Sequence, residues 1–65
     1  MKFTKIFKFE GHYEGHPEKS ELFIVASDIV QAYNKMFELC DNLKVAGFGE
    51  FIRDDSEPVE IIAFE

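Results

Sequence analysis

Two histidines, His12 and His16, lie four positions apart near the start of the chain and alternate with Glu10, Glu14 and Glu18. Imidazole and carboxylate groups bind zinc, and a spacing of four would bring both imidazoles to one face of a helix. The same segment contains two glycines and a proline, which disfavour a helix, and no third ligand follows at a recognisable spacing. We therefore expect a solvated loop with two free histidines, no metal site and no cofactor. Weak adventitious metal binding is the alternative.

The remaining candidates for catalysis are the single Cys40 and the glycines Gly47 and Gly49. A nucleophilic cysteine needs exposure and a positive neighbourhood that lowers its pKa, whereas Cys40 falls among apolar and acidic positions of a predicted helix. The two glycines do not form a phosphate-binding loop, because no helix start follows them and Glu50 would repel phosphate. With no acid–base pair, nucleophile or cofactor loop, the sequence indicates a protein that is not an enzyme.

The charge of the chain is strongly negative and unevenly distributed. Residues 1–8 contain Lys2, Lys5 and Lys8 and no acid, while residues 9–65 contain all thirteen acidic residues and only four basic ones. Such a field repels nucleic acid and attracts basic partners. The eight phenylalanines do not change this expectation, because a base-stacking platform needs a basic groove beside its aromatic rings. We expect no direct binding of nucleic acid.

The acidic residues fall into three clusters, in the loop that carries the histidines, on the helix and in the last turn. A rigid acidic surface can compete with DNA for a basic protein by the same electrostatics that DNA uses. Solubility alone is the alternative explanation of the acidic surplus. The residues predicted to bind a basic partner are Glu38, Asp41, Asp54, Asp55, Glu57 and Glu60.

Hydrophobic periodicity predicts the elements that must position these groups. Alternation with a period of two indicates strands at 2–10, 21–26, 48–53 and 59–64, with a loop at 11–19 and a turn at 54–58. A period of 3.6 begins at Ile29, after the capping pair Ser27 and Asp28, and ends before Gly47. The predicted fold is α+β, an antiparallel four-stranded sheet with one helix packed on it, in the order ββαββ and as one domain over 1–65.

One helix can cover only one face of a sheet, yet each predicted strand carries large apolar side chains on both faces. The second face is therefore expected to expose an apolar patch that associates with a partner or a second copy. Strong curvature of the sheet around the helix is the alternative. The residues predicted for self-association are Phe23, Val25, Phe51 and Ile62.

Cysteine usage and hydropathy indicate the compartment. The lone Cys40 excludes an internal disulfide framework and is typical of a reducing cytoplasm. No apolar run approaches the roughly 18 residues that a membrane span requires. The N-terminal residues alternate between apolar and polar, unlike the continuous apolar segment of a signal peptide. We expect a cytoplasmic protein with no membrane association.

The strand–helix junction F-I-V-A-S-D-I-V-Q-A-Y at 23–33, the ββαββ order and the acidic surplus resemble small acidic proteins that bacteriophages express against host or defence machinery. That group includes inhibitors of RNA polymerase, of nucleoid proteins and of bacterial immune complexes, and some are DNA mimics. The resemblance implies a non-enzymatic inhibitor that binds a basic, nucleic-acid-binding protein or defence complex in the bacterial host cytoplasm. The alternative from a different class is a homodimeric structural or adaptor domain that interacts through its apolar sheet face.

Overall fold

The computed structural model describes residues 2–64, which form a four-stranded antiparallel sheet and one helix packed on it. The predicted α+β class and the antiparallel sheet are confirmed. In chain order the elements are β1 (Phe3–Tyr13), β2 (Ser20–Val25), α1 (Ile29–Val45), β3 (Phe51–Arg53) and β4 (Val59–Phe64).

The long strand β1 lies at the centre of the sheet, with β2 on one side and both β3 and β4 on the other. The last two strands follow one another along β1, because β3 pairs with its C-terminal end and β4 with its N-terminal half. Residues 54–58 leave this line as a bulge, whose first amide, Asp54 N–H, donates to the carbonyl of Glu10 at 3.0 Å. The turn predicted at 54–58 therefore does not reverse the chain, and β3 and β4 do not pair with each other.

Strand β1 is longer than its sequence pattern indicates. The alternation predicts an end at residue 10, whereas the strand continues through His12 to Tyr13. The extension arises because Gly11 to Tyr13 have partners on β3, a pairing that only the tertiary fold supplies. His12 therefore lies in a strand, while His16 remains in the loop, as predicted.

Helix α1 has the predicted N-cap, Asp28, and it ends before Gly47, as predicted, with Ala46 as its C-cap. The Asp28 carboxylate accepts the amide N–H of Gln31 at 2.8 Å, which satisfies one of the unpaired donors of the first turn. At the other end Gly47 takes a φ of +95°, a left-handed conformation that glycine adopts without steric cost. Along the helix only Ala32 and Met36 are buried, so α1 covers a narrow strip of the sheet.

The strand registers divide the side chains between two faces, since cross-strand partners in an antiparallel ladder point to the same side. The covered face, beneath α1, carries Phe7 opposite Ile24 and Phe9 opposite Leu22. The open face, on the other side, carries Ile6 opposite Val25 and Lys8 opposite Phe23. Ala32 and Met36 of the helix pack against the covered face, and the other core residues come from that face or from its ends. The eight core residues are Phe7, Phe9, Leu22, Ile24, Ala26, Ala32, Met36 and Phe51.

Two of the residues predicted for self-association do not lie on the open face. Phe51 is only 7% exposed and packs edge-on against Tyr13, with ring centroids 5.4 Å apart. It belongs to the core because its partner Tyr13 has the same parity as Phe7 and Phe9. Ile62 is exposed, but it pairs with Lys5 and therefore lies on the covered side of the sheet, beyond the strip that the helix shields.

The molecule is extended for its size. Its principal dimensions are 42 × 21 × 20 Å and its radius of gyration is 12.6 Å, compared with about 11 Å for a compact chain of this length. The accessible surface is 4819 Å², whereas a monomer of 7.5 kDa is expected to expose about 4,200 Å². Thus each chain exposes about 600 Å² more than a compact monomer.

Candidate partner-binding surfaces

The bulge at 54–58 is a structured acidic projection from the edge of the sheet. Its shape is set by the Asp54 carboxylate, which accepts hydrogen bonds from the amide and the hydroxyl of Ser56. Both hydrogen bonds lower the pKa of Asp54 below its ordinary value, and the bond from the Ser56 hydroxyl has the larger effect. Asp55 and Glu57 follow on the same segment and are exposed.

Arg53 attaches the bulge to the helix side of the molecule. Its Nη1 donates to the Ser56 carbonyl at 3.1 Å, and its guanidinium lies over the Tyr33 ring, 5.2 Å from the centroid. This contact between a cation and an aromatic face is favourable by about 0.5–1 kcal/mol at an exposed site. Because the guanidinium is engaged with the carbonyl and the ring, it forms no ion pair with the neighbouring carboxylates within the described chain.

Two further carboxylates lie in a cleft that adjoins the bulge through Arg53, which lines the cleft and donates to the Ser56 carbonyl. Asp41, from the last turns of α1, and Glu50, from the segment before β3, line one shallow cleft together with Lys44 and Arg53. Glu50 was not predicted from the sequence; its place follows from the hydrogen bond between its carbonyl and the Glu14 amide, 2.8 Å, which extends the β1–β3 register. We call the resulting set the acidic edge: Asp41, Glu50, Asp54, Asp55 and Glu57.

The other two predicted partner-binding residues lie apart from this set. Glu38 is exposed and stands about 200° around the helix from Met36, so it points away from the sheet. Glu60 lies on β4 and pairs with Lys5 at 3.6 Å. Of the six predicted residues, the structure therefore places Asp54, Asp55 and Glu57 on one bulge and Asp41 in the adjoining cleft, whereas Glu38 lies apart and Glu60 forms an ion pair with Lys5.

Local ion pairs engage two of the four acidic residues in the cluster near the histidines, Glu10 and Glu21, but neither Glu14 nor Glu18 among the described residues. Glu10 contacts Lys19 at 2.8 Å and Lys8 at 3.5 Å, and Glu21 shares Lys8 at 3.5 Å. The hydrogen bond from Lys19 is the main cause that lowers the pKa of Glu10. Among residues 2–64, by contrast, no lysine or arginine lies within 4 Å of a carboxylate of the acidic edge. The carboxylates of the acidic edge are therefore not engaged in local ion pairs with any described residue, although Lys44 and Arg53 line the same cleft.

The open face forms the second surface. Phe23 and Val25 are 60% and 56% exposed, as the sequence predicts for an uncovered face. Beside Val25 lie Ile6 and then Ile61, since Ile6 pairs with both of them across the two neighbouring strands. This row of apolar side chains crosses three strands without interruption, whereas the next row is divided by Lys8.

The candidates for chemistry do not assemble into a reactive site. Cys40 is partly buried, with its Sγ 3.7 Å from the Met36 sulfur, and burial raises the pKa of its thiol, with Asp41 adding to the effect. His16 and Glu18 line a shallow cleft with Tyr13 and Ser20. Within the described part of the chain, no three histidine, cysteine or acidic side chains are grouped as metal ligands.

Comparisons of the chain with protein-family models, with curated proteins and with solved structures find no match. Within residues 2–64, α1 is too short and too polar to cross a bilayer.

Proposed function

We propose that this protein is a non-enzymatic inhibitor of the phage type, which binds a basic, nucleic-acid-binding protein or defence complex through its acidic edge. The proposed setting is the cytoplasm of a bacterial host cell. The observation that supports this function is that five carboxylates, none of them paired with a lysine or arginine among the described residues, lie on the 54–58 bulge and in the cleft that adjoins it.

In this proposal the carboxylates occupy positions that phosphates would take opposite the lysines and arginines of the partner. Charge-assisted hydrogen bonds of this kind are roughly twice as strong as neutral ones. The order of the bulge favours binding, because Asp54 already holds the loop and less conformational entropy is lost on association. Exposed charges are screened over about 8 Å at physiological salt, so the complex is expected to weaken as salt rises.

Affinity capture from a bacterial lysate, with stepwise salt elution and mass spectrometry, tests this function. The expected result is a basic nucleic-acid-binding protein that elutes at moderate salt. Its recovery should fall when Asp55→Asn is combined with Glu57→Gln, and Asp54 is left intact because it shapes the bulge. The matched control combines Glu18→Gln with Glu21→Gln, which removes the same charge elsewhere. Equal recovery with both double variants would contradict the proposal.

A second candidate function is a homodimeric structural or adaptor domain, with the acid serving solubility. The specific observation that favours it is the apolar row on the open face together with the surface excess of about 600 Å² per chain. Association through such a surface is hydrophobic, so added salt should leave it unchanged or strengthen it. Loss of self-association in Phe23→Asp, measured by sedimentation in high salt, would support this candidate. An unchanged molar mass in that variant would exclude the open face.

A further inference from the structure

Strand β4 is unusual because its whole length is exposed. All six of its residues are exposed, including Val59 at 49%, Ile62 at 47% and Phe64 at 66%. The helix packs over β1 and β2, where the buried core residues lie, and not over β4. Within the described chain β4 pairs only with β1, so its outer edge has no described partner. No residue of the strand is fully buried, and its large apolar side chains are between 37% and 66% exposed.

The register shows which backbone groups of β4 point outward. The Asp54 amide donates to the Glu10 carbonyl, and in an antiparallel ladder the bonded residues alternate. The same alternation places Val59, Ile61 and Ala63 in hydrogen-bonded pairs with Lys8, Ile6 and Thr4. The N–H and C=O groups of the intervening residues therefore point away from β1, and these residues are Glu60, Ile62 and Phe64.

The two outer edges of the sheet differ in how they are protected. On β2 the outward carbonyl of Val25 accepts a hydrogen bond from the Lys35 ammonium at 2.8 Å, which occupies one acceptor of that edge. Strand β4 contains no proline, lysine or internal bulge, the devices that usually prevent edge-to-edge pairing. Its one charged side chain, Glu60, is turned to Lys5 on β1.

We propose that two copies of this chain pair through antiparallel β4 strands and thereby form one continuous sheet. A register centred on Ile62 matches all three outward-facing residues of one strand with those of the other, and forms about six main-chain hydrogen bonds. The interface is isologous, with its twofold axis perpendicular to the sheet, so both helices lie on the same face. This interface is distinct from the open face of the second candidate function, and it does not depend on the acidic edge.

The surface area of the chain is consistent with this dimer. Two copies together expose about 1,200 Å² more than two compact monomers would, which is as much surface as the smaller specific protein interfaces bury. Ile62 and Phe64 of both copies would meet on the covered side of the seam, and Ile61 on the open side. The pairing therefore buries apolar side chains as well as backbone groups.

The acidic edges do not oppose this pairing. Each bulge precedes Val59, the first residue of β4, and antiparallel strands place these first residues at opposite ends of the seam. A strand of six residues spans about 20 Å at 3.3 Å per residue. This separation exceeds the screening length of about 8 Å, so repulsion between the two bulges is weak, and the dimer presents two acidic edges.

Ile62→Pro tests the edge directly, because it removes an amide proton that points outward and bonds to nothing in β1. Sedimentation over a wide concentration range should give twice 7.5 kDa for the wild type and the single-chain mass for Ile62→Pro. Ile62→Lys, which keeps the backbone, should also be monomeric, and Val45→Lys, at a 90% exposed helix position, should remain dimeric. Circular dichroism checks that each variant is folded.

Hydrogen exchange of the wild type provides a readout that requires no variant. The Ile62 amide should exchange more slowly as concentration rises, while the neighbouring amides that bond to β1 change little. A wild type that stays monomeric at all concentrations would overturn the edge-paired dimer. A dimer that survives both Ile62 variants but is lost in Phe23→Asp would also overturn it, and would instead support association through the open face.

Discussion

Replacement of Gly11 by alanine probes the pairing that holds the acidic edge in place. Gly11 lies in β1 opposite Arg53 of β3, and it is buried. A Cβ atom there would meet the Ile52 carbonyl oxygen, the Phe51 ring at 2.8 Å and the Arg53 Cα at 2.9 Å. Two of these three neighbours are backbone atoms, which have no rotamer to change, so β3 must move away from β1.

The magnitude follows from the size of the domain and the kind of clash. Overpacking by one carbon usually costs about 1–3 kcal/mol and more where the neighbours are rigid, so we expect Gly11→Ala to cost about 3 kcal/mol. A 65-residue domain has a free energy of unfolding of about 3–10 kcal/mol. With an m value of about 1 kcal/mol/M, the urea midpoint should fall by about 3 M.

Urea unfolding followed by circular dichroism measures this shift, and Gly15→Ala is the matched control. Gly15 has a φ of +82°, and a Cβ atom added to it would have no neighbour within 4 Å, so its replacement should cost only the left-handed penalty of about 1–2 kcal/mol. Combining Gly11→Ala with Phe51→Leu should not restore stability, since the backbone clash remains. A midpoint for Gly11→Ala within about 0.5 M of the wild type would refute the close β1–β3 approach.

Three further perturbations have defined outcomes. Phe51→Ala should destabilise the fold by about 3–5 kcal/mol because Phe51 is buried, whereas Phe23→Ala, at a 60% exposed position, should change the urea midpoint little. The pKa of Glu10 in the folded state lies below its ordinary value of 4.5. The ion pair of Glu10 therefore stabilises the fold above pH 4.5, and this stabilisation is lost as the pH falls through the folded-state pKa. Lys19→Met removes the main cause of the lowered pKa, so it should make acid unfolding less dependent on pH in this range. Cys40, whose thiol pKa is raised by burial, should react with a thiol reagent at neutral pH more slowly than a free cysteine does, and faster only in urea.

The local elements of this protein could be predicted from its sequence. Period-3.6 spacing identifies α1, and Asp28 and Gly47 give its ends, because capping depends on residues adjacent in the chain. The open-face exposure of Phe23 and Val25 follows from the parity of β2 relative to Leu22 and Ile24. These features depend on neighbours within a few positions, so a single sequence contains them.

The features that the sequence left unpredicted depend on pairing between distant segments. Asp, Ser and Pro at 54–58 indicate a turn, but only the register with β1 shows that the chain continues in line and that Phe51 shares the face of Tyr13. The ion pair between Lys5 and Glu60 likewise depends on the pairing of β1 with β4, which are distant in the sequence. Whether acidic clusters meet on one side depends on this topology, which is why Glu50 was absent from the predicted set and Glu60 was included in it.

The dependence of binding on salt tests the acidic-edge proposal most directly. The dissociation constant of the captured basic partner should be measured across a salt series for the wild type, for Asp55→Asn with Glu57→Gln, and for the Glu18 and Glu21 control. We predict that affinity falls steadily with salt, and that the Asp55 and Glu57 variant binds about fivefold more weakly at low salt, from two exposed ion pairs of about 0.5 kcal/mol each, with a shallower slope. An affinity that does not change with salt, or that is equal in all three proteins, would contradict it.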